Sequence, residues 1–300
     1  MSDKRILVAH PHGFCSGVAH AVSMAEAALV EHGSPIYCLH AIVHNAQVSE
    51  ALAAKGIRFV ERLEEVPADS VLLLPAHGAA PTIYRQARAL RLQVIDATCP
   101  FVAKVHREVR RFVSEGFSVI CIGYRRHEEV IGIVGEAPES VLVVETEAEA
   151  RALQAPHPDR MAVVTQTTLS VEMVAGIVQT LRSRFPGLRQ SPKEDICYAT
   201  RNRQEAVRAL ASQAEEVLVL GSPTSSNSLR LVEVARAAGC RARLLANRAE
   251  LANIPLDAVS VLGITSGAST PESFLNDVLE DLRALGFENV VHLPSAADEG

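Results

Sequence analysis

Apolar runs of four or five residues alternate along the chain with longer stretches of helical period. The short runs predict strands at 6–9, 36–39, 57–60, 71–74, 93–96, 118–122, 141–144, 161–164, 216–220, 243–245, 259–262 and 289–292. Between them, amphipathic stretches predict helices such as 17–32, about 47–54, from about 100 to 114, and from Ser170 to Arg184. Several of these close on a glycine: Gly33, Gly56, Gly116 and Gly239. Ser170 is an expected N-cap, as is Thr270 with Pro271 at the first helical position. Strands alternating with helices imply parallel sheets with helical crossovers, an α/β protein. The clearest linker is 186–195, and 295–300 reads as a polar tail. Division at residues 97 and 195 makes three α/β domains of similar size, 1–97, 98–195 and 196–300, each with a cysteine at a strand-to-helix junction. No internal sequence repeat supports that threefold.

Ligands in parallel sheets bind beyond the carboxyl ends of the strands. The polar clusters of this chain fall there, after the apolar runs. Cys15, Cys99 and Cys197 sit at strand–helix junctions, whereas Cys38, Cys121 and Cys240 lie in or beside apolar strands and read as small buried hydrophobes. Six cysteines in 300 residues are no disulfide framework. Three thiols from separate segments suit zinc or an iron–sulfur cluster, although no Cys-x-x-Cys pair is present. Three unrelated buried cysteines is the competing reading. His44, His77 and His127 each follow a strand, where a histidine can hold an anion or hydroxyl, or simply cap a turn. Glu129 is a candidate general acid, against the plainer role of an exposed acid at a helix start, which Glu128 fits better. Ser225, Ser226, Asn227 and Ser269 precede helices and can cradle a phosphate, or only cap those helices. Neither a P-loop nor a dinucleotide fingerprint is present. The formal net charge of −6 argues against general nucleic-acid or anionic-membrane binding. The first apolar run is too short for a signal peptide, and no run approaches a membrane span of about 18 residues. A cytoplasmic enzyme is the expectation.

Several motifs taken together carry a resemblance. They are Pro11-His12-Gly13-Phe14-Cys15-Ser16-Gly17-Val18, Val43-His44-Asn45, Ala76-His77-Gly78, Asp96-Ala97-Thr98-Cys99-Pro100, Thr165-Gln166-Thr167-Thr168-Leu169-Ser170, Asp195-Ile196-Cys197-Tyr198-Ala199-Thr200-Arg201-Asn202-Arg203-Gln204, Ser225-Ser226-Asn227-Ser228 and Gly267-Ala268-Ser269. In this order the series resembles that of the 4-hydroxy-3-methylbut-2-enyl diphosphate reductase family, the last step of the non-mevalonate isoprenoid pathway, from about residue 5 to residue 285. The resemblance implies a trefoil of three α/β domains around a central [4Fe–4S] cluster with one open iron. Cys15, Cys99 and Cys197 match the cluster ligands. His44, His77, Ser225, Ser226, Asn227 and Ser269 match the diphosphate-binding positions. His127 and Thr167 match positions near the substrate hydroxyl, and Glu129 matches the proton-delivering glutamate. The implied reaction is a two-electron reductive dehydroxylation to isopentenyl and dimethylallyl diphosphate, with ferredoxin or flavodoxin as electron donor.

The chain departs from the family pattern at His12, where the family commonly has Arg, and at Ala41, where an acid is usual. It departs again around Glu129, in Arg126-His127-Glu128-Glu129-Val130-Ile131-Gly132-Ile133. The alternative enzyme reading is a redox-neutral iron–sulfur dehydratase or lyase with a three-cysteine cluster. A metal-stabilised scaffold or redox sensor is a third reading, but it leaves the surrounding His, Glu, Thr, Ser and Asn clusters without a purpose.

Overall fold

The computed structural model describes residues 4–294, so the expected polar tail at 295–300 lies outside the described residues. The first part of the chain runs β1 (Arg5–Val8), α1 (Ser16–His32), β2 (Ile36–Leu39), α2 (Ala46–Lys55), β3 (Ile57–Val60), β4 (Val71–Leu74), α3 (Pro81–Ala89) and β5 (Gln93–Asp96). The next runs α4 (Pro100–Ser114), β6 (Ser118–Ile122), α5 (Glu128–Gly135), β7 (Val141–Val144), α6 (Glu147–Ala152), β8 (Met161–Thr165), α7 (Val171–Arg184) and β9 (Arg189–Gln190). The last runs α8 (Tyr198–Ala211), β10 (Glu216–Leu220), α9 (Ser226–Ala237), β11 (Arg241–Leu245), β12 (Val261–Ser266), α10 (Glu272–Ala284) and β13 (Asn289–His292). Three sheets result, ordered β3-β2-β4-β5, β7-β6-β8-β9 and β11-β10-β12-β1-β13. Every pairing among the described strands is parallel, which is the α/β class expected from the alternation. No helix among the described residues is long and apolar enough to cross a membrane.

The chain divides into two compact units. One gathers the residues up to Ser16, His44–Val48 and the residues from Tyr198 onward; the other gathers Gly17–Val43 and Ser49–Cys197. β1 departs from the division at residue 97. It lies in the sheet of the C-terminal segment, with Val8 opposite Ile264 of β12 on one side and His292 of β13 on the other. The reason is two-sided burial. Ile6 and Val8 pack with Leu218, Ile264 and Phe274 on one face, while Leu7 packs with Val207, Leu210 and Val219 on the other. A strand apolar on both faces needs helices above and below and neighbours on each side.

Three local expectations change. β12 runs to Ser266, past the expected end at 262, because Gly263 and Ile264 continue the pairing with Val217 and Leu218 of β10. Gly263 is needed there, since a Cβ would stand 2.8 Å from Leu210 Cγ on α8. Thr265 and Ser266 are therefore fully buried strand residues rather than loop residues. Second, Pro271 and not Thr270 is the N-cap of α10; the Thr270 hydroxyl instead donates to the Leu220 carbonyl at 3.0 Å. Third, the linker at 186–195 contains β9, which pairs with Ala162 and Val163. Ser170 does cap α7, accepting from the Met173 amide at 3.3 Å.

Candidate active site

In the unit holding β2–β9, the carboxyl ends of β4, β5, β6 and β8 carry the polar side chains. The chain turns out of β5 through Asp96, whose Oδ1 accepts from the Thr98 amide (3.0 Å) and hydroxyl (2.5 Å). Cys99 follows as the N-cap residue of α4, with Pro100 in the first turn. The Cys99 amide donates to the Ala76 carbonyl at 2.9 Å, which ties the cysteine to the loop after β4. That loop carries His77, buried, with Nε2 3.3 Å from the Ala41 carbonyl. Gly78 follows at φ +77°, and a Cβ there would press within 3.2 Å of both His106 Nε2 and Val102.

After β6, His127 caps α5 by accepting from the Glu129 amide at Nδ1 (3.2 Å). Nδ1 is thus the acceptor, and in the neutral ring Nε2 carries the proton. Glu129 lies in the first turn of α5, yet it is 2% exposed. Its carboxylate accepts from the Thr167 amide at 2.7 Å and from the Thr167 hydroxyl at 3.1 Å. Burial pushes the Glu129 carboxyl up to about 7, with the Asp195 charge adding to the rise, while the two Thr167 donors oppose it. The Thr167 carbonyl accepts from the Cys197 amide at 3.2 Å. One residue, Thr167, therefore fixes both the acid and the third cysteine. The alternative of an exposed helix-start acid does not hold for Glu129.

The other unit brings three loops off neighbouring strands of one sheet, β10, β12 and β1. Cys15 lies on the last of these, and its amide donates to the Ala268 carbonyl at 3.0 Å. Gly13, at φ +70°, donates to Ser266 Oγ at 2.9 Å. His12, the departure from the family pattern, sits 3.1 Å from Glu272 Oε2 through Nδ1. Ser225 is the N-cap of α9 and accepts from the Ser228 amide at 3.3 Å, so capping explains part of the serine cluster. It does not explain Asn227. Asn227 Oδ1 accepts from the Ala268 amide at 2.9 Å, while Nδ2 is buried and has no hydrogen-bond partner among the described residues. The Ser269 hydroxyl donates to the His44 carbonyl at 3.2 Å. Ser225, Ser226, Asn227, Ser269 and the His44 backbone are thus held together, with an unsatisfied amide donor among them. A buried donor without a partner costs free energy unless a ligand meets it, and an anion's oxygens do so at a helix start.

Two residues of the Cys197 motif, Arg203 and Asp195, have a role that the sequence does not reveal. Arg203 is 1% exposed, and its guanidinium donates to the carbonyls of Pro11 (3.1 Å), Ser266 (2.9 Å) and Gly13 (2.7 Å). It holds the Cys15 loop to the end of β12. Its signal in the sequence is a cation on the apolar face of α8, in helical register with Ala199, Val207 and Leu210. Asp195, also buried, accepts from the Thr165 amide at 3.0 Å and from Lys104 Nζ at 2.6 Å.

Thiol chemistry separates the two cysteine sets. Cys38 and Cys121 are fully buried, and burial raises both thiols far above their ordinary value. Such thiols are inert. Cys15, Cys99 and Cys197 are partly exposed, none is in a disulfide, and each immediately precedes or caps a helix. Each has its backbone amide pinned at 2.9–3.2 Å to a carbonyl in another loop. Partly accessible cysteine sulfurs on anchored backbone fit an iron–sulfur cluster.

Residues 6–283 match the family model described as LytB protein. A 4-hydroxy-3-methylbut-2-enyl diphosphate reductase from Acidothermus cellulolyticus is 49% identical over 97% of this chain and 86% of its own length. The 4-hydroxy-3-methylbut-2-enyl diphosphate reductase 2 of Mycobacterium tuberculosis (strain ATCC 25618 / H37Rv) is 47% identical over 98% of this chain and 88% of its own. Among solved structures, the E-1-hydroxy-2-methyl-but-2-enyl-4-diphosphate reductase from Plasmodium falciparum superposes with a TM-score of 0.95 at 37% identity, covering 98% of this chain and 92% of that one. A second, described as the terminal enzyme of the non-mevalonate pathway, gives 0.66 at 32% identity, covering 94% and 99%. With near-complete coverage and identity close to one half, the chain belongs to the LytB protein family.

Proposed function

We propose that this chain reduces (E)-4-hydroxy-3-methylbut-2-enyl diphosphate to isopentenyl and dimethylallyl diphosphate. It is an oxidoreductase of the non-mevalonate pathway, as its relatives are named. Family membership implies an iron–sulfur cofactor, and we take it to be a [4Fe–4S] cluster held by Cys15, Cys99 and Cys197. When bound, such a cluster supplies two electrons in single steps and Lewis acidity at an iron that no fourth cysteine occupies.

The remaining work falls to the protein's own side chains. Asn227 Nδ2, the hydroxyls of Ser225, Ser226 and Ser269, and the first-turn amides of α9 receive the diphosphate oxygens, with His44 and His77 adding ring donors. No lysine or arginine is needed at that point, because oriented amides and the helix dipole stabilise the anion. His127 offers Nε2–H toward the substrate hydroxyl. Glu129 holds a proton near neutral pH and delivers it through Thr167 to the departing oxygen or to the reduced carbon chain. The buried acid at Glu129, with a pKa of about 7 and two hydrogen bonds to Thr167, is the observation that carries this assignment. Ferredoxin or flavodoxin in the cytoplasm is the proposed electron source.

The test is anaerobic reconstitution, then turnover of the hydroxylated diphosphate with dithionite and a mediator dye. Dehydroxylated diphosphates should appear at two electrons per molecule. A protein with a full cluster that forms no such product refutes the reading; dehydration without electron consumption would indicate the redox-neutral lyase instead.

A further inference from the structure

Lys104 lies in the second turn of α4, the helix that Cys99 caps. Its ammonium reaches into the segment that ends at Cys197. Nζ donates to Asp195 Oδ1 at 2.6 Å, to the Lys193 carbonyl at 2.6 Å and to the Glu194 carbonyl at 3.2 Å. The Asp195 side chain is 6% exposed and that of Lys104 is 19% exposed. Asp195 Oδ2 accepts from the Thr165 amide at 3.0 Å, and two residues on, the Cys197 amide reaches the Thr167 carbonyl at 3.2 Å. The segment ending at Cys197 is therefore held by Thr165 at the end of β8, by Thr167 in the loop after it, and at three points by a single lysine. That segment needs holding: only the two residues of β9 pair with the sheet between Arg184 and Tyr198.

We propose that Lys104 and Asp195 form a clasp that fixes the Cys99 end of α4 relative to the segment bearing Cys197, and so sets how long the iron–sulfur cluster stays bound. This rests on the reading of Cys99 and Cys197 as cluster ligands. Neither side chain of the clasp is a catalytic residue; both are positioning residues. A multidentate site loses its metal when one ligand swings away and fails to return. The clasp keeps the two cysteines in place between such excursions, and a largely buried ion pair suits that task because water competes for it poorly.

The experiment uses reconstituted holoenzyme, challenged without oxygen by an Fe(II) chelator at a temperature well below every variant's Tm. Decay of the cluster absorbance gives the release rate. Lys104→Gln and Asp195→Asn should each release iron about 10-fold faster or more. The double variant should be no faster than about twofold beyond the faster single, since one link can be lost only once. While still fully loaded, the dithionite-reduced variants should also show a broadened EPR signal. Arg248→Gln, which breaks an exposed pair with Asp281, should release at the wild-type rate. If a single variant fails to fold, the neutral double decides the matter, because it leaves no lone buried charge. Release at the wild-type rate from folded variants, or multiplicative effects in the double, overturns the clasp. Cys99→Ser in the same assay should fail to hold a full cluster. A Cys99→Ser protein with full iron and wild-type release refutes the ligand reading itself, independently of the clasp.

Discussion

Glu129 shows how much one residue's surroundings decide. Its neighbours in sequence, a histidine and a second glutamate ahead of an apolar run, describe an ordinary acidic helix start. Burial, against the opposing pull of the two Thr167 donors, makes it an acid that holds its proton near neutrality. Glu129→Gln keeps the shape and removes the proton, so turnover should drop by about 10²–10⁴-fold with cluster content and substrate affinity retained; steady-state kinetics beside iron analysis checks this. Stability carries the same signature. Between the ordinary carboxyl value of 4.5 and about 7, the folded protein holds this proton and the unfolded chain has lost it. The folded state then binds more protons, so this group's contribution to stability falls as pH rises through that window. Denaturant unfolding should show Glu129→Gln losing less stability between pH 5 and pH 8 than the wild type. Equal losses would mean that the carboxyl titrates normally. Asn227 offers a second test. Asn227→Asp keeps the acceptor for the Ala268 amide but sets a negative charge where Nδ2 now stands. KM for the diphosphate substrate should rise by at least about 10-fold, and by more than for Asn227→Ala, which only removes the donor.

At the scale of elements, close approach between helices explains residues that composition leaves unremarked. Gly135 ends α5 where that helix meets the start of α3, and a Cβ there would lie 2.4 Å from the Ala80 Cβ and 3.2 Å from its Cα. Helix propensity alone favours alanine over glycine by about 1 kcal/mol. The contact reverses the sign, because α5 must move away from α3 or Ala80 must shift. Gly135→Ala should therefore lower Tm, and a rise would show that the two helices have room to spare. Because α5 carries Glu129 at its other end, a displaced helix should reduce turnover as well. The element boundaries themselves were largely legible from periodicity, since strand and helix periods are local properties of a few consecutive residues. β9, inside the expected linker at 186–195, and the end of β12 were the exceptions. Thr265 and Ser266 read as loop by polarity, but pairing with β10 carries the strand through them. A ladder can hold polar residues when its neighbours supply the backbone partners, and no window along a single strand reveals those neighbours.

For the whole molecule, the cluster proposed to join cysteines from segments far apart in sequence should act as a structural ligand. Anaerobic calorimetry should show the loaded protein melting above the cluster-free form. A ligand that binds only the folded state at 100 times its Kd adds about 2.7 kcal/mol; identical melting would argue against a cluster on these thiols. The sequence by itself determined the α/β class, the places of the strands and the gathering of Cys, His, Ser and Asn after them. Each follows from local periodicity and from the rule that ligands meet parallel sheets at the strands' carboxyl ends. Its motifs also sufficed to indicate the family. Only the tertiary structure decided that β1 pairs between β12 and β13, that Glu129 turns inward onto Thr167, that Arg203 braces the Cys15 loop, and that Lys104 reaches Asp195. Each of these joins residues distant in sequence. Sheet order and side-chain burial choose such partners, and neither is a property of any short stretch of chain.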